Sequence, residues 1–395
     1  MSDPDFPEPP AEVKSISPTT LKERIDAGED VVLLDTRAKS EYEEWRIDGE
    51  SVDPLNIPYF EFLAGDPDES TFESIPEDRP VVVTCAKGES SRYVGGILAD
   101  RGYEVEHLER GMNGWASIYE YEELATDGAT TIAQYRRPSS GCLAYLIVNG
   151  DEAAVIDPLR AFVDTYEADA RALGADIIYA IDTHIHADHV SGVRQLAAKT
   201  GAATVLSKPA IERGVEYDVD EPVTDGDHLS VGDATIEVVH TPGHTTGMTS
   251  FRVDDVLFTG DGLFTESVAR PDLEEGDDGA ADAARQLYET LQERILSLPD
   301  ETVIAPAHFS DAATPNDDAT YTATLDELMD TMDALTLPQE EFIEFILSDM
   351  PPRPANYEEI IATNLGRQSP DDDEAFRLEL GPNNCAASQD ALTGD

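Results

Sequence analysis

Four short apolar runs in this chain each end on residues of the kind that bind metal ions. DIIYAID runs into Thr183-His184-Ile185-His186-Ala187-Asp188-His189, ATIEVV into His240-Thr241-Pro242-Gly243-His244, DVLFTG into Asp261, and ETVIAPA into His308. Short apolar runs bounded by turn residues read as buried strands. Donors from four distant places in the chain thus arrive at strand ends, seven candidate ligands in all. Helical stretches are expected at about 161 to 173, 190 to 200 and 281 to 297, with strands between them. Strands alternating with helices imply an α/β class with covered sheets. On an extended segment residues i and i+2 point the same way, which pairs His184 with His186, while Asp188 and His189 are expected to open the following helix. One short segment can then address two metal positions. Gly243 and Gly260 allow close approach of backbone to the site. The remaining histidines, His107, His228 and His240, belong to no cluster with ligand spacing and read as structural.

A second pattern occupies Ile16 to about Tyr121. VVLLD at 31 to 35 and VVVTC at 81 to 85 are strand-like, and a helix is expected from about Ser91 to Arg101. The second strand runs directly into Cys85-Ala86-Lys87-Gly88-Glu89-Ser90. A cysteine at the carboxyl end of a parallel strand, before a helix N-terminus, faces unpaired N–H groups and the positive end of the helix dipole, which favours thiolate. Lys87 and Arg92 add cationic charge able to hold an anionic sulfur donor. The same spacing also suits a buried structural cysteine. Asp35 and Arg37, at a strand end, read as scaffold and could pair.

The 395 residues suffice for two or three domains. The expected divisions are an N-terminal domain at 12–121, a linker at 122–129, a metal-binding domain at 130–311 and a helical C-terminal extension at 312–395 whose last fifteen or so residues read as loose. Eight linker residues reach at most about 26 Å, which excludes a long swinging arm. CLAYLIV at 142 to 148, Asn149-Gly150 and AAVID at 153 to 157 form a hairpin signal. Acidic residues number 83 against 26 basic ones, a formal charge of −57. That balance argues against nucleic acid or an anionic membrane as partner, since both need clustered Lys and Arg. With only six lysines, the surface suits a cytoplasm where salt screens self-repulsion. Residues 1 to 11, MSDPDFPEPPA, show no secretory signal, and no apolar run approaches a membrane span, so a cytoplasmic location is expected. Three widely spaced cysteines argue against a disulfide framework. Of these, Cys142 lies in an apolar strand and reads as core, and Cys385 is unassigned.

LLDTR at 33 to 37 with Glu41 and Trp45, the loop CAKGES with Arg92, and LERGMNGW at 108 to 115 resemble a rhodanese domain. The resemblance implies that Cys85 accepts a sulfane sulfur as a persulfide, cradled by the loop amides and Lys87. The HxHxDH, TPGHT and TGD motifs resemble the metallo-β-lactamase superfamily, implying an αββα sandwich with the metal site at one edge of two facing sheets. Within it the chain most resembles the persulfide dioxygenases, iron enzymes that oxidise a low-molecular-weight persulfide with O₂ to sulfite and free thiol. Their triad maps onto His184, His244 and Asp261, implying one Fe(II) per chain in a two-histidine, one-carboxylate site with open positions. His186, Asp188, His189 and His308 would form a second position or an outer shell. The family's substrate arginine maps onto Arg270. Two departures stand out: Phe309-Ser310 follows His308 where many members have Asp-Tyr, and Ala269-Arg270-Pro271-Asp272-Leu273 replaces Gly-Arg-Thr-Asp-Phe. PPRPANYEEIIATNLG resembles the tail of other fused members and is expected near the site entrance.

The implied partners are a small thiol persulfide, O₂, and sulfite or thiosulfate, with a homo-oligomer possible. Transfer between Cys85 and the metal would need facing sites or a diffusible thiol. An alternative is a two-zinc thioester hydrolase of the glyoxalase II type with an accessory rhodanese domain, using metal-bound hydroxide. Another is a sulfur-relay protein with a structural metal, against which stands the open triad, because structural zinc sites normally close four ligands.

Overall fold

The computed structural model describes residues 7–63, 67, 69–126, 128–310, 312–348 and 350–381. Cys385 and the expected loose tail beyond 381 lie outside the described residues. The chain divides into two compact units, Met1–Ile118 and Tyr119–Asp395.

The first unit is a five-stranded, all-parallel sheet in the order Lys14–Ile16, Val105–Leu108, Val81–Thr84, Val31–Asp35, Val52–Asn56. VVLLD and VVVT are buried on both faces, as continuous apolar runs between helix layers must be. Alternate residues separate them: Val31, Leu33 and Val82 join a core with Trp115, whereas Val32, Leu34, Val81 and Val83 pack with Val94 and Leu98 of the helix Glu89–Asp100.

The second unit stacks a seven-stranded sheet on a six-stranded one. The first runs Glu221–Val223, Ala203–Ser207, Asp176–Ile181, Glu152–Ile156, Cys142–Asn149, Thr131–Arg137, Glu120–Glu123, and the second His228–Val231, Ala234–His240, Thr249–Val253, Val256–Gly260, Val303–Pro306, Ala323–Thr324. In Cys142–Asn149, Leu143, Tyr145 and Ile147 enter the core between the sheets, where they share a cluster with Ile236, Val238, Phe251 and Phe258. Cys142, Ala144, Leu146 and Val148 face the outer layer with Tyr166 and Leu196 of the helices Val163–Ala172 and Val193–Thr200. The period-2 alternation of a strand therefore accounts for both buried faces. Helices Gly276–Thr290, Leu325–Thr331 and Gln339–Ser348 cover the other sheet. The architecture is the αββα sandwich that the motifs implied, and the expected hairpin forms with Asn149 opposite Glu152.

Three details differ from the sequence reading. The stretch expected to link the units begins as strand, with Glu120–Glu123 paired to Thr131–Arg137 and Leu124 in the core. The C-terminal extension starts as an edge strand, Ala323–Thr324, before its helices. Asp188 and His189 do not open a helix, because the helix begins at Val193 with Gly192 as its N-cap. The segment 182–190 is buried, irregular backbone, held by side-chain partners in place of an α-helical ladder. Among the described residues no helix is long and apolar enough to cross a membrane.

Candidate functional site

Three strand ends deliver the expected triad. His184 follows Asp176–Ile181, His244 follows Ala234–His240, and Asp261 follows Val256–Gly260. One donor atom from each lies within 4.8 Å of the other two, all buried. Asp261 Oδ2 is 3.7 Å from the Nε2 atoms of both His184 and His244. Gly260, at φ +54°, makes the approach feasible: a Cβ there would stand 2.6 Å from Thr183 Oγ1.

Hydrogen bonds fix which nitrogen faces inward. The Thr183 hydroxyl donates to Asp157 Oδ2 at 3.0 Å, so toward His184 Nδ1, 2.9 Å away, it can only accept. His184 Nδ1 therefore carries the proton and Nε2 the lone pair. His244 Nδ1 donates to the Arg270 carbonyl at 2.9 Å, with the same result. Burial holds both imidazoles below their ordinary pKa, His184 far below, so both are neutral donors near pH 7. Burial opposes the Asp261 charge, but the His308 cation hydrogen-bonded to it outweighs burial and keeps the carboxylate ionised. Buried His184 Nε2 and Asp261 Oδ2 have no hydrogen-bond partner. Two neutral imidazoles and a carboxylate with uncommitted buried atoms fit a divalent metal ion.

The other four expected ligands do not form one set. His308 Nδ1 donates to Asp261 Oδ1 at 2.5 Å and Nε2 to Asp188 Oδ2 at 2.7 Å. Burial would lower its pKa, but these two carboxylates raise it well above the ordinary value, leaving an imidazolium clamped between them. Asp188, His189 and His308 group with the Cys142 thiol, which donates to Asp188 Oδ2 at 3.3 Å. Cys142 is as buried as a core residue should be, yet its sulfur belongs to this cluster. The His186 ring lies beside both groups, 4.2 Å from that of His184 and 4.0 Å from that of His189, with Nδ1 3.9 Å from Asp188 Oδ1. Its Nε2 is 3.0 Å from Asp157 Oδ1 and 3.7 Å from Asp182, a third cluster. His184 and His186 lie side by side, but His184 groups with His244 and Asp261 whereas His186 groups with Asp157 and Asp182. Asp157 and Asp182 went unnoticed in the sequence, although each ends an apolar run just as Asp261 does. Asp157 sits at φ 52° and accepts from Thr183 N, Thr183 Oγ1 and His186. Burial pushes Asp182 up to about 6, and Ser191 Oγ donates to it.

Arg270 turns its guanidinium to Asp272 and to the carbonyls of Pro351 and Pro352, and it is its own carbonyl that meets His244. Phe309 stacks on Tyr321 at 3.8 Å between centroids, and Ser310 N donates to Glu266. The Pro-rich bend after 350 thus lies beside the residues that hold the site. His240, expected to be structural, donates its backbone N–H to Asp225, and its ring Nε2 bonds the Thr246 carbonyl.

In the first unit Cys85 is buried at the end of Val81–Thr84, and Gly88 N donates to its Sγ at 3.0 Å. Lys87 is exposed in the loop, and Arg92, also exposed, lies 3.6 Å from Glu8. The segment after Arg110 holds the loop from below: Met112 N donates to Cys85 O at 2.7 Å and Asn113 N to Ala86 O at 3.0 Å. Asp35 and Arg37 form the scaffold pair, at 2.6 Å.

Both parts of the chain match known families. Residues 17–118 match the rhodanese-like domain, and residues 138–308 match the metallo-beta-lactamase superfamily. The mouse mitochondrial persulfide dioxygenase ETHE1 is 30% identical over 259 residues, 63% of this chain and 94% of that protein. The human one is 30% identical over 249 residues, 60% of this chain and 90% of that protein. The crystal structure of ETHE1 from Myxococcus xanthus superposes with a TM-score of 0.53 at 28% identity, covering 60% of this chain and 99% of that one. With both domain families matched and relatives matched over nearly their whole length, the chain belongs to the persulfide dioxygenase family of the metallo-β-lactamase superfamily, preceded by a rhodanese-like domain.

Proposed function

We propose that this protein oxidises a low-molecular-weight thiol persulfide with O₂ at a single ferrous ion held by His184, His244 and Asp261, and that Cys85 transfers sulfane sulfur in the same pathway. The convergence of His184 Nε2, His244 Nε2 and Asp261 Oδ2, two of them buried without partners, carries the reading. Iron, when bound, supplies open positions for a sulfur anion and dioxygen. The chain's part is positional. Thr183 and the Arg270 carbonyl fix the imidazole tautomers, and the His308 cation holds Asp261 Oδ1 so that Oδ2 faces inward. The balance is one persulfide, one O₂ and one water giving thiol, sulfite and two protons. At Cys85 the thiolate attacks the sulfane sulfur: a sulfur–sulfur bond forms at Sγ, the donor's own breaks, and sulfite leaves if thiosulfate is the donor. The Gly88 N–H would steady the anion. A salt-adapted setting is supported by the charge of −57.

Oxygen uptake by the purified full chain with glutathione persulfide at high salt, measured beside metal content, tests this. One iron per chain with persulfide-dependent uptake is expected. Two zincs with thioesterase activity and no uptake would favour hydrolysis, the second reading, which the Asp188–His189–His308 cluster supports. Cys85→Ser is expected to lose sulfur transfer and keep oxygen uptake; loss of both contradicts independent sites. Gly111→Ala is expected to act on the thiol loop alone. At φ +54° its Cβ would stand 2.0 Å from Cys85 O, so the loop must shift, and a displacement of about 1 Å can cost about 10²-fold in rate. Unchanged transfer in that variant would show that the loop tolerates displacement.

A further inference from the structure

The segment 182–190, which supplies His184, Asp188 and His189, is buried and has no regular ladder. Its main-chain groups must find partners elsewhere, and several are provided by the chain's far end. Asn364 closes the helix Tyr357–Asn364, and its Nδ2 donates to His186 O and His189 O, both at 2.9 Å. Its Oδ1 accepts from Ser191 N at 2.9 Å. Glu379 Oε1 accepts from Val190 N at 2.8 Å. The same extension reaches the second histidine by another route. Pro351 O and Pro352 O each accept from the Arg270 guanidinium at 2.9 Å, Arg353 bonds Asp272, which also pairs with Arg270, and the Arg270 carbonyl holds His244 Nδ1. His184 and His244 come from different sheets, and no strand pairing links Asp176–Ile181 to Ala234–His240.

We propose, on the metal reading given above and on nothing about the substrate, that residues 350–381 are a clasp that sets the spacing of His184 and His244 and so retains the metal, with Asn364 as its principal positioning residue. Asn364 is suited to the task because one planar carboxamide ties three main-chain groups of the donor segment at once. A merely structural tail would lower folding stability when disturbed and leave the metal's environment as it was. A clasp would change the metal's hold and its ligand field first.

The test uses the full chain loaded with cobalt(II) alone, read by its visible ligand-field bands and by its release into excess chelator. In the parent protein the bands should be present and should vanish in His184→Ala. If they survive that substitution, the metal reading fails, and the clasp with it. In Asn364→Asp, which keeps the acceptor for Ser191 N but loses both donors, the bands should shift and release should be about 10–100-fold faster, the usual effect of losing an outer-shell partner. The denaturation midpoint of the metal-free chain should fall too, because two buried carbonyls lose their donors, so the bands and the release rate, read on folded protein, carry the distinction. Identical bands and an identical release rate would overturn the clasp while leaving the metal reading intact. Should Asn364→Asp not fold, Arg353→Ala serves instead: it takes from the buried Asp272 one of its two guanidinium partners, several-fold faster release is expected, and unchanged release is equally decisive against the clasp.

Discussion

Asp261→Ala is expected to abolish metal retention and persulfide-dependent oxygen uptake together, while Cys85 continues to accept sulfur at the parental rate. The reason is electrostatic. His184 and His244 are neutral at working pH, so Asp261 is the triad's only anion and offsets half the charge of a divalent ion within a buried site. Its loss should far exceed the about 10–100-fold penalty of an outer-shell change, taking uptake down to the uncatalysed background. A second consequence follows from His308, whose imidazolium is held by Asp261 on one side and Asp188 on the other. Without Asp261 that cation loses one of its two counter-charges, so simple addition of metal should not restore the site. Asp261→Asn keeps the shape without the charge and should fail nearly as completely. Metal content by elemental analysis and an oxygen electrode check both variants, and a fully active, metal-loaded Asp261→Ala protein would remove the basis for the assigned triad.

Glu379→Ala should produce the largest loss of stability of any single change outside the triad. Arg137 and Glu379 pair at 2.6 Å with side-chain exposures of 0% and 1%, across the full length of the second unit's sequence. Arg137 also lies over the rings of Phe162 and Phe376. Removing one partner of a fully buried ion pair leaves an uncompensated charge and costs about 3–5 kcal/mol. Here Val190 N also loses its acceptor. Chemical denaturation of the second unit should show that loss. Because replacing both partners with apolar side chains is often neutral or better, the double variant Arg137→Met, Glu379→Leu should recover most of it. A drop under about 1 kcal/mol in Glu379→Ala would mean the pair is solvated in practice.

The donors were legible because an apolar run announces a buried strand, and the residue after it must emerge at the sheet's edge. That rule placed His184, His244, Asp261 and His308 correctly in one neighbourhood, and it placed Cys85 at the end of a parallel strand. The same rule would have pointed to Asp157 and Asp182 had aspartates after AAVI and IIYAI been weighed like the one after DVLFTG. His186 adjoins His184, and its Nε2 pairs with Asp157. The loop that carries both is held by hydrogen bonds accepted by Asp157 and donated by Asn364, which no local pattern shows. The family resemblance implies Arg270 as a cation available to a substrate anion. Only the fold shows it engaged by Asp272 and two proline carbonyls.

By itself the sequence determined which chemical groups reach the site, since these follow from local hydrophobic periodicity and from what stands at each strand's end; the sandwich that carries them was implied by the resemblance of its motifs. Tertiary structure alone decided which nitrogen of each histidine faces inward, that His308 is a clamped cation, and that the C-terminal segment grips the donor loop. Those outcomes depend on hydrogen bonds between residues such as Asn364 and His186, 178 positions apart. No local pattern encodes such a pairing, because it is fixed only when packing brings the two segments together and excludes the water that would otherwise satisfy them.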